Sequence, residues 1–98
     1  MYLRIHESQR GRIVAVCDEE LIGKVLKEDD VEVDLDRYRT FYMGDKADEG
    51  QVREALKRFD SANLVGKDAI GVALEMGLAV SEDVTYIKKI PYIQIYKL

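Results

Sequence analysis

Residues 13–17, Ile-Val-Ala-Val-Cys, form an unbroken apolar run that stops abruptly at Asp18-Glu19-Glu20. So short a run, bounded by charge, predicts a buried strand that leads directly into a turn. Asp18 is placed to cap a single turn of helix. Glu19 and Glu20 follow in its first turn, where the helix dipole favours acids. Gly23 suits the position after the turn, and Lys24 its carbonyl end. One turn of helix is not stable alone, so Leu21, Ile22, Val25 and Leu26 are expected to anchor it in the core. Ser61-Ala62-Asn63-Leu64-Val65-Gly66 reads as a break at the start of another helix. The two stretches either share a polar pocket or are two separate turns.

The flanking chain supplies the rest of an α/β (α+β) fold. Tyr2–Glu7 alternates, with Leu3 and Ile5 on one side, and Arg12–Val16 returns after Ser8-Gln9-Arg10-Gly11, so a hairpin is expected. Lys27–Asp30 reads as a polar loop. Val31, Val33 and Leu35 alternate inward against Glu32, Asp34 and Asp36. In the irregular stretch 37–44, Phe41, Tyr42 and Met43 are expected to be buried, and Gly44 ends it. Asp48 with Gln51 makes a variant capping box, and Val52, Ala55, Leu56 and Phe59 form one apolar helix face. Residues 67–76 predict a second, nearly all-apolar helix. Its interior Gly71 implies close packing, and Gly77 follows it. Residues 85–90 and 92–96 read as strands about Pro91, which suggests an edge or a bend. The predicted architecture is one domain over residues 1–98: a mixed or antiparallel sheet of about five strands, two main helices and one short helical turn.

Composition limits function. One cysteine cannot make an internal disulfide, and no apolar run reaches membrane-spanning length or resembles a signal peptide. The expected location is cytoplasmic, with no membrane partner. A charged fraction of 35% with only four amide side chains (Gln9, Gln51, Asn63 and Gln94) fits a heat-adapted source. Net charge is −4 but uneven. Residues 1–16 carry Arg4, Arg10 and Arg12 against Glu7, and residues 84–98 carry Lys88, Lys89 and Lys97 with no acid. If these ends pair in one sheet, they make a basic face on an acidic body. Tyr2, Arg4 and His6 share one strand face, as do Tyr92, Gln94 and Tyr96. Aromatic and basic groups on an open sheet stack single-stranded bases in some domains.

Several side chains invite chemistry, and each has an ordinary structural alternative. Cys17 at a helix start has the setting of a lowered-pKa nucleophile, although the acids after it disfavour the thiolate and burial makes it inert. Asp18, Lys24 and Asn63 could converge as base, phosphate partner and polar contact, or serve only as caps. The turn into the second helix presents N–H groups to an anion but lacks P-loop spacing. Glu32, Asp34 and Asp36 lie too far apart along a strand to hold one cation unaided. One Cys and one His give no zinc pattern, and no serine sits in a nucleophile elbow. No metal, cofactor or catalytic residue is assigned.

Four blocks stand in order: Val14–Lys24; Phe41-Tyr42-x-Gly44; Ser61–Gly66; and Ile90-Pro91-Tyr92-Ile93-Gln94. This arrangement resembles the small archaeal family catalogued as domain of unknown function 424, over nearly the whole chain. The last block departs from the family pattern Val-Pro-His-Ala-Gln at Tyr92 and Ile93. The resemblance implies an archaeal, cytoplasmic protein loosely linked with RNA or translation, and carries over no catalytic residue. Were the blocks to form a ligand site, the matching positions would be Cys17, Asp18, Lys24, Tyr42, Asn63 and Gln94. The leading expectation is a non-catalytic binding module, RNA- or translation-associated, whose face includes Tyr2, Arg4, His6, Lys88, Tyr92 and Tyr96. The alternatives are a small enzyme or ligand-binding protein with a pocket at Asp18, Lys24 and Asn63, and a homodimeric structural subunit joined through the last strand.

Overall fold

The apolar run 13–17 lies inside a six-stranded mixed sheet. The computed structural model describes residues 1–97. Strands β1 (Tyr2–Ser8) and β2 (Gly11–Cys17) form the expected hairpin, with Leu3 opposite Val16 and Ile5 opposite Val14. A single 3-10 turn (Glu19–Leu21) leads to a second, separate hairpin of β3 (Val25–Glu28) and β4 (Val31–Asp34). Then come a one-turn helix α1 (Arg39–Tyr42), a short strand β5 (Asp45–Lys46) and helix α2 (Glu49–Ala55). Strand β6 (Ser61–Val65), helix α3 (Lys67–Glu75), and the hairpin of β7 (Thr85–Ile87) and β8 (Ile90–Tyr96) complete the chain. The main sheet runs β5-β1-β2-β6-β8-β7, and only the β2–β6 pair is parallel.

Alternation along the strands divides the core into two layers. On one face, Val14, Val16, Ala62, Leu64 and Ile93 pack with Val52, Leu56 and Phe59 around α2 and with Ala69, Ile70, Val72 and Ala73 of α3. The predicted apolar stripe of α2 is buried throughout, and its capping box forms in both directions: Asp48 Oδ1 accepts from Gln51 N–H at 2.8 Å, and Gln51 Oε1 accepts from Asp48 N–H at 2.9 Å. Helix α3 ends at Gly77 (φ +70°), where Leu78 N–H reaches the Ala73 carbonyl and Gly77 N–H the Leu74 carbonyl. That pair of bonds is the Schellman arrangement, and a left-handed glycine makes it cheap. On the opposite face a smaller layer joins Cys17 and Val65 to Leu21, Leu26, Leu35 and Ile87. The β3–β4 hairpin covers that end of the sheet.

Several expectations are corrected. Lys27 and Glu28 belong to β3, and only Asp29 and Asp30 turn, because Leu26 needs a strand to reach the second layer. Val31 lies near the hairpin tip and is 46% exposed, and Met43 is likewise exposed. Ser61–Val65 is a central strand, not a break; β2 and β8 pair its backbone on both sides, and Asn63 meets Gln94 across the sheet. Gly71 leaves open space where a Cβ would stand, so close packing does not require it. Pro91 lies within β8, one residue past the hairpin turn and before the pairing with β6 begins at Tyr92, so its missing N–H interrupts no bond to β6. The two chain ends do not pair: β2 and β6 lie between β1 and β8. Nor is the last strand the edge of the sheet, since β7 flanks it along Ile90–Tyr92. Among the described residues, no helix is long and apolar enough to cross a membrane.

Candidate functional site

Asp18 does not cap the turn that follows it. Its carboxylate reaches fifty residues along the chain, where Oδ2 accepts from Asp68 N–H at 3.0 Å and Oδ1 from Ala69 N–H at 2.9 Å. These are orphan donors at the start of α3, so Asp18 does the work of an N-cap from another strand. The residue at the cap position proper is Gly66, at φ +109°. A Cβ there would stand 2.2 Å from Asp18 Cγ, so only glycine leaves room for the carboxylate. Asp18 N–H also donates to the Val65 carbonyl at 3.0 Å, extending the β2–β6 ladder by one bond. The first and third sequence blocks therefore do meet, but they close on each other and leave no pocket. Asp18 is 2% exposed. Burial raises its pKa, outweighing the two N–H bonds that favour the charged form. Beside it, Cys17 is fully buried, and its thiol contacts the Asp18 carbonyl at 3.4 Å. Burial first, and the neighbouring Asp18 charge second, push that thiol up to about 12. Of the two readings of Cys17 the buried, inert thiol fits, and the low-pKa nucleophile does not, because the sulfur is buried and Asp18 and Glu20 disfavour the thiolate.

A cleft of about 650 Å³ opens on the same side of the sheet, beside the second layer. Its floor is the row in which Asn63 of β6 stands opposite Gln94 of β8, with Gln94 Nε2 donating to Asn63 Oδ1 at 2.7 Å. Tyr96 Oη donates to Gln94 Oε1 at 3.3 Å. Tyr92 and Thr85 continue the floor, and Tyr38, Phe41 and Tyr42 form the wall opposite. Two β1 side chains hold that wall in place. Arg4 Nη1 donates to the Thr40 carbonyl at 2.7 Å, and His6 Nε2 lies 2.9 Å from the Phe41 carbonyl, its ring stacked on Phe41 at 4.7 Å. Phe41 meets Tyr42 edge-on at 5.0 Å, an arrangement that suits two ring quadrupoles. The turn before α1 is shaped by Asp34 Oδ1, which accepts from Asp36 and Arg37 N–H at 3.1 and 2.8 Å. Burial pushes the Tyr42 hydroxyl up to about 12, so it remains a neutral hydrogen-bonding group. Glu32, Asp34 and Asp83 give the cleft an acidic border; among the described residues no Lys or Arg lines it, and the Arg37 guanidinium lies over the Tyr38 ring at 5.6 Å.

The family model described as Protein of unknown function (DUF424) matches residues 5–98 of this chain. The chain belongs to the DUF424 family. It is also similar to a solved structure titled "Crystal structure of an uncharacterized conserved protein from Methanopyrus kandleri", at 26% identity and a TM-score of 0.79. That likeness covers 97% of this chain and 89% of the other. A search of curated proteins gives no match.

In this DUF424 chain the six positions suggested by the sequence blocks separate into three places. Tyr42, Asn63 and Gln94 line the cleft together. Cys17 and Asp18 are buried beyond it, engaged with each other and with α3. Lys24 is exposed and does not line the cleft, so Asp18, Lys24 and Asn63 do not share it. The basic sheet is likewise interrupted. Tyr2, Arg4 and His6 occupy the same face as Tyr92 and Tyr96, but two strands lie between them, and α1 engages Arg4 and His6. Lys88 sits in the β7–β8 turn, its N–H bonded to Glu28. Tyr96 is 66% exposed beyond the cleft. Sequence reasoning missed Tyr38, Phe41, Thr85 and Asp83 as cleft residues. The Phe41-Tyr42 block was their one local signal. Among the described residues, no group of three His, Cys, Asp or Glu could hold a metal ion.

Proposed function

We propose that this protein is a non-catalytic binding module whose ligand occupies the cleft between the Asn63–Gln94 row and the Tyr38–Tyr42 wall. The observation that carries this is the convergence of three distant segments on one concave, aromatic-walled space with amides at its base, the usual make-up of a ligand site. The side chains best suited to chemistry are committed elsewhere: Cys17 is a buried, high-pKa thiol, the Asp18 carboxylate holds α3, and His6 is bound to the back of α1. RNA is the weaker occupant, because acids border the cleft and would repel phosphate.

The four side-chain amides of this chain make a built-in test. Asn63 and Gln94 line the cleft, whereas Gln9 lies at the β1–β2 turn and Gln51 is held in the α2 capping box. In a nitrogen-15 NMR titration with small cationic, neutral aromatic and anionic compounds, at least one class should shift Asn63 and Gln94 while Gln9 and Gln51 stay still. If none of the three classes moves the cleft amides, the binding-module reading is lost.

A further inference from the structure

The cleft is an aromatic-walled cavity whose charge has one sign. We infer that its occupant is an arginine side chain presented by an extended segment of a partner protein; this rests on the binding-cleft reading above. Four aromatic rings, those of Tyr38, Phe41, Tyr42 and Tyr92, border the space. A planar cation is attracted to such ring faces, and a guanidinium stacks on them where a compact ammonium does not. Glu32, Asp34 and Asp83 border the same space; Asp34 Oδ1 is held by two backbone N–H groups, which leaves Glu32 and Asp83 to meet a guanidinium fork through two parallel bonds. Among the described residues no Lys or Arg lines the cleft; the Arg37 guanidinium lies over the Tyr38 ring at 5.6 Å, so Phe41, Tyr42 and Tyr92 are the rings left for an incoming cation.

The floor adds the feature that favours a peptide over a free cation. The Asn63 carboxamide oxygen accepts from Gln94, so what Asn63 has left to offer a ligand in the cleft it lines is its amide hydrogens, as donors. The site thus offers acceptors at its border and a donor at its base. A peptide needs both: its arginine seeks acceptors, and its backbone carbonyl seeks a donor. The protein's charge of −4 attracts such a segment from a distance, an effect that weakens with salt.

The test uses the whole protein and four short peptides of sequence Gly-X-Tyr-X-Gly, with X as Arg, Lys, Gln or Glu, beside an octauridylate. The Arg peptide should shift the Asn63 and Gln94 amides, bind several-fold more tightly than the Lys and Gln peptides, and weaken as salt rises. The Glu peptide and the octauridylate should leave the amides unmoved. The double variant Glu32→Gln with Asp83→Asn alters two exposed residues, and should lose most of the Arg-peptide affinity while melting at the native temperature. Equal binding of the Lys or Gln peptide, or a cleft shift with the octauridylate, overturns the arginine assignment but leaves the binding cleft standing. Silence of the cleft amides with every probe removes both. Undiminished Arg-peptide binding by the double variant also overturns the assignment.

Discussion

The two main helices solve the same problem at their N-termini by different means. Helix α2 is capped by its own sequence: Asp48 and Gln51, three residues apart, satisfy each other's backbone. Helix α3 is capped by Asp18 from the end of β2, with Gly66 left bare to admit it. The first device lies on the surface and works in water. In the second the carboxylate and Ala69 are buried, so the Ala69 N–H has no solvent to fall back on. A local cap therefore stabilises one helix, whereas the remote cap fastens that helix to the central strand pair and forms only when the sheet has formed.

Substitution can break or sharpen this contrast. Gly66→Ala should cost the most, about 4 kcal/mol or failure to fold, since it sets a Cβ into Asp18 at a φ that alanine avoids. A melting temperature within a few degrees of the native protein would show that the carboxylate is not held there. Asp18→Ala should cost about 3 kcal/mol in denaturant unfolding, as a buried and a part-buried donor lose their acceptor; Asp18→Asn, keeping one acceptor, should cost about half as much. Asp48→Ala should cost only about 1 kcal/mol. Equal losses for Asp18→Ala and Asp48→Ala would erase the distinction between the two caps.

The buried side of the comparison also has a pH signature. Cys17 and Tyr42 both have folded pKa values raised to about 12, from ordinary values of 9.0 and 10.0. A raised folded pKa means that each contribution is complete below the unfolded value and is lost as pH climbs towards 12. Stability should therefore fall from about pH 9 upward, by at most about 1.4 kcal/mol per pH unit for each group. Cys17→Ala and Tyr42→Phe should each flatten that limb in unfolding curves taken from pH 8 to 11. Below pH 9, the native thiol should react with alkylating reagents only through unfolding. The smallest effect is expected inside α3: Gly71→Ala meets nothing and should stabilise by about 0.5–1 kcal/mol, seen as a rise in melting temperature. A loss there would reveal contact that the fold does not provide.

These elements differ in how far they could be read in advance. The α2 cap and stripe were legible because every partner lies within a turn or two of helix. The β1–β2 hairpin was legible because alternation and turn residues are adjacent. Asp18 was assigned to the wrong helix because Asp-Glu-Glu-Leu satisfies the local rule for an N-cap, and the competing donors stand fifty residues away. Ser61–Val65 looked like a break because serine and asparagine favour turns when alone; between two strands, Asn63 finds Gln94. The cleft was hidden for the same reason. Its aromatic wall is an irregular stretch with no period, placed by Arg4 and His6 of a different strand.

From its amino-acid order alone, this chain determines its sheet-and-helix composition, its α2 cap and the apolar faces that build a core. Those depend on contacts between near neighbours and on periodicity, which a linear reading contains. Which carboxylate caps α3, which amides meet, and what charge borders the cleft were decided only by the tertiary structure. Each depends on strand order and register, which bring together groups that no local rule connects.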